Sequence, residues 1–308
     1  MRPNRKNIKA LLIAVHYGAP QPTLELLRCL SQMKHLSDFH ILIVNNGVAA
    51  YSGAELREAV PWLPSAELFE PTRNLGYFGA ARASLDHFLA GNEMLPDWVV
   101  VCNHDVLIQD QDFFSKLFSQ DPMAAGVIAP RIQTLPGRVD QNPFMRRRPG
   151  WLRWAGLRLS FSSYGVAAVC DWLSRQKRAA SSYWFARRAH SSPMSSSSRE
   201  SIYAPHGAFF IFSRRYFEAG GYLDSNLFLY GEEISVAEIC RSLRLPVVYE
   251  PSLCVLHNEH HSTGHGISRF TYECQRDALR YVASRYLSGA GGPIESGTEP
   301  QALMFLRK

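Results

Sequence analysis

Three runs of apolar residues punctuate the first hundred positions. Residues 11–15, 41–44 and 98–102 are unbroken apolar stretches, many of their side chains β-branched, bounded by polar or turn residues. That pattern predicts strands buried on both faces. Between them the spacing turns helical. Pro22 opens a segment with Leu24, Leu27 and Leu30 on one face, and residues 79–89 turn Ala83, Leu85 and Phe88 inward. Strands alternating with helices predict an α/β fold, a parallel sheet covered on both sides with its ligand crevice at the carboxyl ends of the strands. Further on, residues 208–212 and 246–249 read as strands and 234–243 as a helix. An amphipathic helix follows over 269–286, and then a loose Gly/Pro/Glu-rich tail. The stretch from 135 to 200 breaks the alternation. It opens on Arg146-Arg147-Arg148-Pro149-Gly150 and closes on a serine-rich run, residues 191–198, that reads as a loop.

Composition narrows the class. A chain of 308 residues with 46% hydrophobic and 19% charged residues is ordinary globular material, not disordered, collagenous or coiled-coil. The longest apolar stretch near the start has six residues (10–15). A membrane span needs about 20 and a secretory h-region about 7 to 15, so neither is expected. Six scattered cysteines without a C-x-x-C pair argue against a zinc ribbon or a disulfide framework and fit a reducing, cytoplasmic setting. The charge is regional: residues 138–190 carry ten arginines and one lysine against two aspartates, a net of +9 in a chain whose total is +6.

Several polar groups fall where the pattern puts the crevice. Asn103-His104-Asp105 follows the most apolar strand, and Asp105 there is either a turn residue or a carboxylate that holds a divalent cation against a diphosphate. Gly231-Glu232-Glu233 precedes a helix; the acids either complement the helix dipole or provide a base and its neighbour, with pKa values raised by burial and by each other. His257, His260, His261 and His265 lie within nine residues but lack the H-E-x-x-H spacing of a zinc site. One imidazole, His257, joining Asp105 on Mg²⁺ or Mn²⁺ is the simpler arrangement, and imidazole favours Mn²⁺. Asn74-Leu75-Gly76-Tyr77 reads as a tight turn or a loop whose backbone approaches a phosphate or sugar, and Asn45-Asn46-Gly47 as a turn or a base contact.

Taken in order, these segments resemble the family 2 glycosyltransferases of the GT-A fold, in particular the bacterial rhamnosyltransferase-like branch that builds surface polysaccharides. Residues 43–47 resemble its V-D-N-G-S turn, 74–77 its N-x-G-F loop, and 102–106 the N-x-D form of its D-x-D motif. Residues 207–210, 220–224 and 228–233 resemble G-A-x-x, G-G-F-D and F-L-Y-G-E-D, and His257 its closing histidine. The resemblance implies a GT-A sheet divided into a nucleotide-sugar-binding half (1–135), a basic and aromatic insertion (136–200), an acceptor-binding half with a C-terminal helix (201–290) and a tail (291–308). It implies inverting transfer from a nucleoside diphosphate sugar, with dTDP-rhamnose as one donor, to a hydroxyl of a glycan or lipid-linked glycan. Glu233 falls on the base, Glu232 on an acid that positions the acceptor, Asp105 and His257 on the cation ligands, and Asn103 on support for cation or ribose. Asn45 falls on the base contact, and Asn74 and Gly76 on the loop beneath the donor. His206 is a packed polar residue or a donor to the sugar or diphosphate; Arg73 is a surface charge or a phosphate ligand.

Three positions depart from the family pattern. Asn45 and Asn103 each replace an aspartate, and Glu233 is one methylene longer than the usual acid, where about 1 Å can matter. Asn103 and Glu233 also suit an alternative, a GT-A protein that binds sugar nucleotide or a partner without turnover. A nucleotidyltransferase fits less well, since residues 16–20 carry no basic phosphate loop, and no motif accompanies the arginines that would mark nucleic-acid binding. Arg146, Arg147, Arg148 and Arg153 interleaved with Trp151 and Trp154 are either a solvated face or a patch for peripheral contact with an anionic membrane.

Overall fold

The computed structural model describes residues 8–47, 53–92, 94–135, 139–187, 198–258 and 267–287, with side chains of 177–187 left out. His260, His261 and His265, most of the serine run and the tail from 291 lie outside the described residues. Among those described, nine strands form one sheet: β1 (Ala10–His16), β2 (Phe39–Asn45), β3 (Ala66–Phe69), β4 (Trp98–Asn103), β5 (Val106–Leu107), β6 (Val127–Thr134), β7 (Glu200–Ile202), β8 (Phe209–Ser213) and β9 (Val247–His257). Their order is β3-β2-β1-β4-β8-β6-β9-β5, with β7 also pairing β9.

The first four strands in that order are parallel, as the alternation predicts, but β8 runs antiparallel to both β4 and β6. The sheet is therefore mixed rather than parallel throughout. The excursion after β4 returns to the edge it left: the Asn103 amide donates to the Ala208 carbonyl at 2.9 Å, so β8 starts where β4 ends and must run back. This return sets residues 206–208 beside residues 103–105. The predicted short strand at 246–249 and the apolar run at 253–256 form one strand, β9, whose register against β6 shifts at Pro130/Arg131.

Helices cover both faces. On one side lie α1 (Gln21–Leu30), α2 (Gly53–Ala59) and α4 (Phe113–Phe118); on the other lie α3 (Tyr77–Ala90), α8 (Glu232–Ser242) and α9 (Arg269–Val282). Leu11, Ile13 and Val15 of β1 face the second group, and Ala10, Leu12 and Ala14 the first, which is why the strand shows no polar alternation. Two helix faces differ from expectation. In α1 the buried side is Thr23, Leu26, Leu27 and Leu30, and in α3 Ser84 is buried while Ala83 is only partly so. In both cases a hydroxyl takes a core position because it is satisfied locally, Thr23 by His16 Nδ1 at 2.7 Å and Ser84 by the Ala80 carbonyl at 2.8 Å.

The insertion forms two helices, α5 (Trp151–Ser160) and α6 (Tyr164–Arg187), both packed against α9; the short α7 (Arg214–Glu218) follows β8. Part of the basic aromatic patch belongs to the fold rather than to a surface. Trp154 is buried, Arg146 pairs with Glu200, and Arg148 donates at 2.6 Å to Glu238, which Tyr203 and Arg241 also bind.

Candidate active site

A cleft of about 410 Å³ opens at the carboxyl edge of β1 and β4. Among its lining residues are Asn74, Gly76, Asn103, Asp105, His206, Glu232 and Glu233, seven of the ten residues singled out in the sequence. His257 stands directly behind Asp105, Asn45 lies next to the lining residue Asn46, and Arg73 lines a neighbouring hollow with Arg82 and Asp86.

β9 delivers His257 to the level of Thr134 on β6 and Val106 on β5, one residue from Asp105. Nδ1 of His257 meets Gln141 Oε1 at 2.7 Å. With that nitrogen donating, Nε2 presents its lone pair to Asp105 Oδ1, 3.4 Å away. Asp105 Oδ1 is buried and makes no hydrogen bond. Two acceptors set face to face, one of them a desolvated carboxylate oxygen, fit a positive group between them, and the Gln141 contact is the usual outer support of a metal-binding imidazole. Asp105 and His257 are a two-donor set: among the described residues no group of three or more His, Cys, Asp or Glu converges. The remaining positions of a hard divalent cation would fall to diphosphate oxygens and water.

Glu232 and Glu233 open α8 behind Tyr230 and Gly231, both at positive φ (70° and 88°), a sharp turn that aims the first helical residues into the cleft. Burial, reinforced by Glu233, pushes the Glu232 carboxyl well up from its ordinary range, and its Oε1 has no hydrogen-bond partner. Burial raises Glu233 too, opposed by hydrogen bonds from the backbone of Glu233, Gly207 and Gly231. Both carboxyls are thus pushed up by burial, and the two differ in their surroundings: Glu233 has three backbone N–H groups opposing the rise, whereas Glu232 has one and also feels the charge of Glu233.

His206 receives the Ala208 amide on Nδ1 at 3.1 Å, leaving Nε2 as the N–H. Burial, then the nearby His257, pushes it down to about 4, so it is a neutral donor at physiological pH. Its backbone is tied by its own N–H to Asn142 Oδ1 at 2.7 Å.

Asn46 organises the loop opposite. It donates to Asn74 Oδ1 (2.9 Å) and the Gly76 carbonyl (3.0 Å) and accepts from the Leu75 amide (2.9 Å). Gly76 has φ +74°, and a Cβ there would lie 2.7 Å from Phe228 Cα, so only glycine lets the loop meet the 228–230 turn. Asn45 donates Nδ2 to Glu70 Oε1 at 3.0 Å, an acid also held by Arg57, and its buried Oδ1 has no partner. The amide is thus oriented with its acceptor free. Asn46 was legible only as part of a turn. The sequence marks Tyr77 only as the last residue of the 74–77 loop and does not single out Tyr17; both line the cleft, Tyr17 directly after β1 and Tyr77 at the start of α3 with a buried, unpartnered hydroxyl.

No protein-family model matches the sequence, and no curated protein sequence does so. Solved structures match along nearly its whole length. GalNAc-T7 with UDP, GalNAc and Mn²⁺ shares 12% identity over 92% of this chain and 49% of its own, with a TM-score of 0.57. TarS 1–349 of S. aureus shares 10% over 97% and 70%, at 0.55. The mannosyltransferase PcManGT of Pyrobaculum calidifontis, with GDP-Man and Mn²⁺, shares 12% over 95% and 79%, at 0.50. The fold is GT-A. The chain spans about half the length of GalNAc-T7, and at these identities the likeness is one of fold.

Proposed function

We propose that this GT-A protein is an inverting glycosyltransferase that moves a sugar from a nucleoside diphosphate sugar to an acceptor hydroxyl. One observation carries the reading: Asn45 Oδ1, Tyr77 Oη, Asp105 Oδ1 and Glu232 Oε1 are all buried, lack hydrogen-bond partners and gather at or beside one cleft. Each such atom costs about 1–3 kcal/mol, a burden that a polar ligand offsets.

In this reading Asn45 Oδ1 accepts the imide N–H of a pyrimidine base, a carbonyl doing the task of the family's carboxylate. Asn74 and Gly76 carry the loop beneath the donor, and Asn103 supports the ribose. His206 Nε2–H donates to the sugar or diphosphate. Asp105 and His257 hold Mg²⁺ or Mn²⁺, which when bound neutralises charge on the diphosphate. Glu233 takes the proton of the attacking hydroxyl while protonated Glu232 hydrogen-bonds the same acceptor. The family resemblance supplies dTDP-rhamnose as a donor to try. Glu233→Gln and Asp105→Ala should each cost about 10² or more in rate with the fold intact. An active Glu233→Gln enzyme would sink the base assignment.

The insertion supports a second element, peripheral contact with an anionic membrane. Trp151, Leu152 and Leu159 of α5 and Val169, Trp172 and Leu173 of α6 are all more than half exposed. Arg147, Arg153 and Arg158 are exposed beside them and pair with no carboxylate among the described residues. No helix among those residues is long and apolar enough to cross a membrane. Exposed tryptophans flanked by free arginines suit the headgroup level of a leaflet.

A further inference from the structure

A second cavity, of about 310 Å³, shares Tyr230 and Glu233 with the cleft. Its walls are of a different character. Trp154 and Leu157 of α5 form one side, Leu279 and Val282 of α9 the other, and Ile234 of α8 lies beside Glu233; Gln275 is the one further side chain with strong polar groups on the lining. Trp154 is nine-tenths buried, and its indole N–H has no partner. A sugar ring, with several hydroxyls to satisfy, would lose more hydrogen bonds to water here than it could remake. A hydrocarbon chain loses none. It gains with every methylene buried, and a single acceptor atom near its head would satisfy Trp154.

We propose that this cavity binds the apolar part of the acceptor: a hydrocarbon chain joined to the group whose hydroxyl meets Glu233. The inference rests on the transfer reading above and narrows it, because the acceptor becomes an amphiphile rather than a free glycan. Glu233 is the link, the one carboxylate bordering both spaces, so an amphiphile seated between α5 and α9 presents its polar end to the base. The volume is at the lower end of the range for small-molecule pockets, room for roughly ten heavy atoms at ~30 Å³ each. The rest of a longer chain would leave along α5, whose outer face carries Trp151, Leu152 and Leu159.

The test uses the full chain and n-alkyl β-D-glucopyranosides from methyl to octyl, each below its micelle concentration, titrated by calorimetry. Affinity should rise about fourfold per methylene until the cavity is full. Leu157→Trp and Leu279→Trp, on opposite walls and both only partly buried, should each abolish that dependence while leaving sugar-nucleotide binding in place. Equal binding of methyl and octyl glycosides would overturn the proposal. So would a chain-length dependence that survives in both folded variants, since the chain would then lie elsewhere. Sugar-nucleotide titration in parallel separates the two readings. Chain-dependent binding without any sugar-nucleotide binding would support the cavity and overturn the transfer reading, whereas sugar-nucleotide binding without chain dependence would overturn the cavity alone.

Discussion

A methyl group on Gly207 would lie 2.7 Å from Oε1 of Glu233. The glycine is therefore part of the seat of the Glu233 carboxyl, and its N–H is one of the donors that oppose the rise burial imposes on that group. Gly207→Ala should leave the fold in place, because the atom displaced is the tip of a side chain rather than backbone. The carboxyl must move by a few tenths of an ångström to an ångström, and a shift of that size at reacting atoms costs about 10² in rate. Rates of nucleoside diphosphate release and unfolding midpoints, measured together, check it. Unchanged turnover would show that Glu233 does not act from this position.

Stability should depend on pH through Glu232. Burial, with Glu233 adding to it, pushes this group up to about 8 from an ordinary 4.5. Between those values the folded chain holds a proton that the unfolded chain releases. Its contribution is thus fully present below pH 4.5 and is lost as pH rises through 8. Glu232→Gln should flatten the fall in stability over this window and raise the urea midpoint at pH 8 more than at pH 5. An identical pH dependence in wild type and variant would place the shifted proton elsewhere.

Much of this arrangement was legible along the chain, and what escaped has physical reasons. Strands β1, β2 and β4 were plain because burial on both faces makes their sequences continuously apolar. Strand β3 carries Glu67 in a half-buried run, and β6 carries Pro130 and Arg131 at its register shift, so neither shows a clean pattern. Asp105, Glu233 and His257 stood out because each follows an apolar run or opens a helix. Gln141, which orients His257 from 116 residues away, left no local signal, and neither did the approach of Gly207 to Glu233. The basic aromatic segment was legible as a surface, but Trp154 and Arg148 proved to be packing and pairing residues; only helix phase separates Trp154 from Trp151.

Membrane contact should follow the exposed faces of α5 and α6 rather than the whole basic cluster. Replacing Trp151, Leu152 and Trp172 by serine, or Arg147, Arg153 and Arg158 by glutamine, should reduce flotation with phosphatidylglycerol-containing liposomes, and added salt should weaken it. Arg148→Gln should act differently, lowering stability by exposing the buried Glu238 network to imbalance. Flotation unchanged by both triple replacements would remove the membrane reading.

The most direct measurement is nucleoside diphosphate release from a panel of sugar nucleotides by the purified protein, with Mg²⁺ or Mn²⁺ and again with chelator. Slow release from one donor is expected, abolished by chelation, by Asp105→Ala and by Glu233→Gln. A protein that binds and hydrolyses none of the panel, with calorimetry showing no heat for any sugar nucleotide, would contradict it.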